Sequence, residues 1–257
     1  MSYTAETLQL LAPDGTLRYS DETERYRDRV DALDETTLRE FYRQMAVTRR
    51  FDVEAGNLQR QGQLALWIPS IGQEAAQVGS GFAARAQDHI FPAYREHAVG
   101  RLRGLDLTRI IAMLRGLTHG GWDPAETGNF HLYTLVIGSQ ALHATGYAMG
   151  VRFDGLVGTG DSERDTAVLV YFGDGAINQG QVYESFNMAA IWNLPVIYVI
   201  ENNKYGMGTS IERTSKTPDL HTRGAAHGIP GEPVDGMDVI AVQEAAARAL
   251  KQCREGK

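Results

Sequence analysis

Asp174 stands between two glycines, in Gly173-Asp174-Gly175, directly after the apolar run 167–172. Asn202 and Asn203 follow a second apolar run, 196–200, and Glu201. A carboxylate, an amide oxygen and nearby backbone carbonyls are hard oxygen ligands suited to magnesium. Magnesium usually completes its octahedron with phosphate oxygens and water. The two glycines bring bare backbone close to a ligand, and the start of a helix beyond them favours an anionic phosphate. Asp174, the two glycines and Asn203 together suit a magnesium–diphosphate clamp. Tyr94-Arg95, just past the short strand expected over 88–92, lies at the same kind of edge and carries the side chain preferred for bidentate phosphate binding, but by itself reads as a surface arginine paired with Glu96.

The elements around them must place them together. Residues 167–172 predict a buried strand. Asn178 is expected to cap the next helix, which buries Val182, Phe186, Ala189 and Ala190. Pro195 blocks further helix, and 196–200 predict a second strand. A strand–helix–strand unit implies parallel strands and a right-handed crossover. Asp174 and Asn203 then emerge side by side at the edge where open α/β sheets bind ligands. A dinucleotide-binding unit is the sharper rival, with Glu201 as the ribose-binding acid. However, position 178 is Asn where that pattern has Gly or Ala, and an acid inside the turn would repel pyrophosphate unless a metal intervened. A plain strand–helix–strand unit without cofactor is the bland alternative.

Two stretches carry a family resemblance. GDGAINQGQVYESFNMAAIWNLPVIYVIENNKYGMGTSIER resembles the thiamine diphosphate motif of alpha subunits of 2-oxo acid dehydrogenases, and NLQRQGQLALWIPSIGQEAAQVG resembles the same subunits. The resemblance covers about residues 35–257. It implies an α/β fold, a doubly wound parallel sheet of the thiamine diphosphate-binding kind. It implies thiamine diphosphate and magnesium as cofactors, with decarboxylation of a 2-oxo acid and acyl transfer to a lipoyl arm. By this resemblance Tyr94 and Arg95 bind the diphosphate, with Gly173, Asp174, Gly175, Ala176 and Asn203 around it. Asp174, Asn203 and Tyr205 match the metal positions. Ile137 matches an apolar residue that wedges between the cofactor's rings. His119 matches a pocket histidine and is the catalytic candidate; His131 is a further loop histidine. Ser139 and Gln140 match a monovalent-cation site in some relatives. Gln73 and Glu74 either serve the site or cap and solvate a helix start.

The partners implied are a beta subunit, in an α2β2 heterotetramer, a lipoyl-bearing acyltransferase and a small 2-oxo acid. Relatives take the glutamate that activates the aminopyrimidine from the beta subunit. The pattern NNKYGMGTS is more similar to pyruvate-type than to branched-chain-type subunits. In the family a further strand and a loop with a pocket histidine follow residue 257. The alternatives are a branched-chain 2-oxo acid dehydrogenase subunit, a Rossmann-type nicotinamide dehydrogenase and a non-catalytic fragment or assembly subunit.

The remainder sets bounds. A chain of 257 residues can bury a full core. A net charge of −7 argues against a nucleic-acid surface. No apolar run approaches the ~20 residues of a membrane span. The start lacks a basic segment followed by an apolar core, so no signal peptide is expected. Cys253 is the single cysteine, and a reducing cytoplasm fits. Residues 1–33 are expected to form an N-terminal helical arm outside the core, with a floppy start; residues 34–257 form the diphosphate-binding domain, incomplete at its C-terminus by the family pattern. Asp34 or Thr36 should cap a long helix carrying Leu38, Phe41, Tyr42, Met45, Asp52, Ala55 and Leu58, with Arg49-Arg50 on a solvated face. Helix 73–84, rich in Ala and Gly, should allow close backbone approach. Helices are also expected over 107–114, from 135–140 to about 150, over 219–228 and after Asp238, with loops over 151–165 and 209–218.

Overall fold

The computed structural model describes residues 6–217 and 219–257. A 3-10 turn, Glu24–Tyr26, leads into α1 (Arg27–Asp31). Next come α2 (Glu35–Arg60) and α3 (Glu74–Ala83), then β1 (His89–Phe91), α4 (His97–Leu102) and α5 (Leu107–Leu114). The second half runs α6 (Ser139–Phe153), β2 (Val168–Gly173), α7 (Gly180–Ile191) and β3 (Val196–Glu201). A small hairpin, β4 (Tyr205–Gly206) and β5 (Thr209–Ser210), precedes α8 (Ile211–Thr214), a 3-10 stretch Leu220–His227 and α9 (Val239–Arg254).

The sheet is parallel, in the order β1-β2-β3. Every residue of β2 up to Phe172 is buried, as its unbroken apolar run requires. Alternation divides its side chains between two layers. Val168, Val170 and Phe172 pack with Ala141, Ala144 and Ala148 of α6 and Val182, Phe186 and Ala189 of α7. Leu169 and Tyr171 face a second core with Ile90, Trp67, Phe130 and Leu250 of α9. Helices therefore cover both faces, as expected for this fold class. Asp88 ties the layers together. It is fully buried, pairs with Arg254 of α9, and accepts the backbone N–H of Ala167 at 2.9 Å.

Asp34 caps α2 through the Thr37 N–H, and Asp238 caps α9 through Ile240 and Ala241. Gly79 shows why α3 is rich in small residues. A Cβ there would lie 2.7 Å from the Val239 carbonyl oxygen, so only glycine lets α3 and α9 touch backbone to backbone.

Several expectations need correcting. Asn178 closes a 3-10 turn, Ala176–Asn178, and α7 starts at Gly180 with Gln179 at its cap and no side-chain bond. α6 continues to Phe153, and 209–218 holds β5 and α8 rather than a plain loop. Tyr42 is largely exposed, outside the buried stripe of α2. Arg49 pairs with Glu74, whose side chain is buried. The N-terminal segment is docked. Leu8, Leu10, Tyr26 and Val30 are buried against Phe41, Val78 and the start of α9. Leu8 forms a parallel bridge with Val234, and Asp238 accepts the N–H groups of Leu10 and Leu11 at 2.6 Å each. The first five residues of the expected arm lie outside the described residues.

Candidate functional site

The register of β2 and β3 pairs Gly173 with Glu201, so Asp174 and the Asn202-Asn203 pair leave the sheet together. The turn at Gly175 then meets the β4–β5 hairpin: a Cβ on Gly175 would lie 3.6 Å from the Cα of Gly206. Asn203 accepts the Tyr205 N–H at 3.0 Å, and Asn202 accepts the Lys204 N–H at 3.1 Å. These side-chain turns fold the chain back sharply, with Lys204 and Met207 both at positive φ (68° and 49°).

Asp174 is almost fully buried, and its Oδ2 has no hydrogen-bond partner. Burial raises its pKa, while backbone N–H groups, including that of Asn203, and the charge of Arg95 act in the opposite sense. Arg95 thus lies within electrostatic reach of Asp174 from the turn between β1 and α4. Its guanidinium donates to the carbonyl of Pro69, its own carbonyl accepts Gln77 Nε2 at 3.2 Å, and its N–H donates to Glu96. Tyr94 lies beside it, with the Arg95 guanidinium 5.7 Å from the ring centre.

Beneath this edge lie two acids whose pairing sequence reasoning missed. Glu96 and Glu201 are both buried and lie close enough for each carboxyl group to shift the other's pKa. Burial, and next the Glu96 charge, push the Glu201 pKa well above its ordinary value. Glu201 ends the second apolar run and Glu96 follows Arg95, so the two lie far apart in sequence and nothing local marks them as neighbours.

The other predicted residues fall in different places. Ile137 is 37% exposed together with Leu135 and Val136, so it is not core packing; its carbonyl accepts Gln181 Nε2 at 3.3 Å. Gly138, at φ 87°, turns the chain from this exposed stretch into α6. Ser139 bonds Thr134 and the Val136 carbonyl, and Gln140 donates to Tyr171 while its Oε1 is buried and unpartnered. Glu74 is buried and accepts both Arg49 and the Gly72 N–H, so it does not solvate the helix start; Gln73, at the cap of α3, makes no side-chain cap bond, and its Oε1 is buried without a partner. His119 is exposed on the loop after α5, and no hydrogen bond joins it to Arg95, Asp174 or Asn203. His131 is turned elsewhere: it stacks on Phe91 and lies 3.1 Å from His89 Nδ1, whose Nε2 meets Tyr147.

The residues at the sheet edge fit a divalent cation beside a diphosphate. A lone buried carboxylate oxygen lacks a partner, the Asn203 amide oxygen retains a second lone pair, and an arginine stands opposite. A single protein carboxylate suits magnesium that takes its remaining ligands from phosphate and water.

The architecture is shared with the transketolases. The Campylobacter jejuni enzyme superposes with a TM-score of 0.62 at 16% identity, covering 84% of this chain and 36% of that one. The sequence is more specific: residues 42–257 match the family model described as Dehydrogenase E1 component, and the chain belongs to that family. It is 43% identical over 226 residues to the pyruvate dehydrogenase E1 component subunit alpha of Rhizobium meliloti (strain 1021), covering 84% of this chain and 62% of that protein. It is 38% identical over 256 residues to the 3-methyl-2-oxobutanoate dehydrogenase subunit alpha of Mycobacterium tuberculosis (strain ATCC 25618 / H37Rv), covering 100% of this chain and 66% of that one. The chain thus spans just under two thirds of these relatives.

Proposed function

We propose that this chain is the alpha-type, diphosphate-holding part of the decarboxylating component of a 2-oxo acid dehydrogenase, with pyruvate as substrate. The observation that carries the reading is the unpartnered, buried Oδ2 of Asp174 at the carboxyl ends of parallel strands, within electrostatic reach of Arg95. Asp174, Asn203 and the Tyr205 carbonyl hold magnesium. Arg95, with Tyr94 beside it, meets the diphosphate, and the backbone of Gly173, Gly175 and Ala176 lies against it. Ile137 offers exposed apolar surface to the cofactor's rings. When bound, thiamine diphosphate supplies an electron sink for the carbon left as a 2-oxo acid loses carbon dioxide. Arg95 is half-buried, which strengthens its attraction for phosphate relative to open water.

A beta subunit completes the site in an α2β2 assembly, a lipoyl-bearing acyltransferase takes the acyl group, and His119 serves as a pocket histidine in that assembly. A second reading, 3-methyl-2-oxobutanoate as substrate, is favoured by the mycobacterial relative that aligns over the whole chain. The test is calorimetric titration of thiamine diphosphate with and without magnesium, followed by decarboxylation assays with both acids on the chain assembled with its beta subunit. Magnesium-independent binding, or turnover of neither acid, would sink the reading.

A further inference from the structure

The loop between α2 and α3 is held at four successive residues. Trp67 Nε1 donates to Asp52 Oδ1 at 2.6 Å, and the Ser70 N–H donates to Asp52 Oδ2 at 2.6 Å. Between them, the Ile68 carbonyl lies 3.3 Å from His97 Nε2, and the Pro69 carbonyl accepts the Arg95 guanidinium. Asp52 and His97 are both buried. Proline has no N–H of its own, so the direction of the Pro69 carbonyl is set by the groups held on either side of it.

The hydrogen bonds also fix the state of the imidazole. A carbonyl only accepts, so the nitrogen facing Ile68 carries the proton. Nδ1 is then the acceptor, and Tyr133 O–H donates to it across 2.7 Å. Trp67 stacks on the ring at 4.7 Å and 19°, and Phe51 meets it edge-on. Burial, the largest cause, and the nearby Arg95 charge hold the His97 pKa at about 4, so the ring is neutral at neutral pH.

We infer that His97 and Asp52 are positioning residues for Arg95: they fix the 67–70 loop so that the Pro69 carbonyl orients the guanidinium, leaving its remaining N–H groups for the diphosphate. This rests on the reading that Arg95 meets the cofactor. His97 is thereby a fixed donor rather than an acid or base. A guanidinium fixed before binding loses less side-chain freedom when it pairs with phosphate.

The test is a double-mutant cycle on the full chain in its assembled form, reading the dissociation constant of thiamine diphosphate with magnesium and the thermal midpoint. His97→Phe keeps a flat ring against Trp67 but removes the donor, and should weaken binding about tenfold, the scale of a lost outer-shell hydrogen bond. His97→Gln, whose amide N–H reaches the Ile68 carbonyl, should keep most of the affinity. In an Arg95→Ala background, His97→Phe should have no further effect. Equal losses with and without Arg95, or His97→Gln no better than His97→Phe at matched thermal midpoints, would overturn the positioning role. Full affinity in Arg95→Ala alone would overturn the diphosphate reading, and the inference with it. Nitrogen NMR of the unmutated protein reads the ring directly; a proton on Nδ1 at neutral pH would refute the assignment.

Discussion

Gly173 and Glu201 face each other across the parallel register of β2 and β3. That one pairing brings Asp174 and Asn203 to the same point of the sheet edge, and it makes Glu201 the buried neighbour of both. At that point Asp174 Oδ2 is buried without a hydrogen-bond partner. Asp174→Ala and Asn203→Ala should each reduce magnesium-dependent thiamine diphosphate affinity by on the order of 100-fold or more, since outer-shell changes alone cost about 10–100-fold. Without metal, Asp174→Ala should cost little stability, because the buried Oδ2 of Asp174 has no hydrogen-bond partner and its burial is offset only by backbone N–H groups and the Arg95 charge. Unchanged cofactor affinity measured by calorimetry would refute the metal assignment.

Arg95→Lys should weaken cofactor binding although the charge is kept. An ammonium cannot both hold the Pro69 carbonyl in the same plane and present a fork to phosphate. The dissociation constant for inorganic pyrophosphate, compared between parent and variant, checks this without any turnover.

Ile137→Ala should separate binding from folding. The side chain is partly exposed, so its loss should change unfolding free energy by no more than about 0.5 kcal/mol. Affinity for thiamine diphosphate should nevertheless fall, whereas affinity for pyrophosphate, which has no rings, should not. A parallel loss for both ligands would assign Ile137 to the scaffold.

Asp88 is fully buried against Arg254 and also accepts backbone N–H groups of Arg85 and Ala167. Asp88→Ala leaves a buried guanidinium without its anion, and should cost about 3–5 kcal/mol in chemical denaturation. Replacing both members with apolar residues should recover a large part of that loss.

Acid should destabilise the fold through its histidines. Burial, first among the causes, lowers the pKa values of His89, His97 and His131 from 6.5 to about 4. The native rings stay neutral while the unfolded chain takes up protons. This contribution is complete above pH 6.5 and is lost as pH falls toward about 4. For the buried His97 it amounts to at most roughly 3 kcal/mol, and to less for His89 and His131, which keep some contact with water. His97→Phe should therefore show a shallower fall in thermal midpoint on acidification than the parent.

The sheet-edge residues were legible because their signals are local. An unbroken apolar run, a glycine-flanked acid and a second run ending in two asparagines need only the period of a strand and the geometry of a crossover. The 3.6 period likewise places Val182, Phe186 and Ala189 in the core. Asn178 misled because a 3-10 turn intervenes before α7, and capping propensity cannot distinguish the two starts. His97 was not legible as a positioning residue because its partners, Ile68 and Tyr133, lie on two other segments. The burial of Leu8 and Leu10 was hidden for the same reason: their partners are α3 and α9, far along the chain.

The docked N-terminal segment has a consequence for the order of biosynthesis. Its Leu10 and Leu11 amides bond to Asp238, which lies 228 and 227 positions further along the chain and also starts α9. At about 5–20 residues per second a ribosome needs roughly ten to fifty seconds to make that stretch. Through that interval the leucines have left the exit tunnel but their cradle does not yet exist. This segment, made well before Asp238, is thus among the last to find its place, and a nascent chain stalled before Asp238 should present those leucines to chaperones.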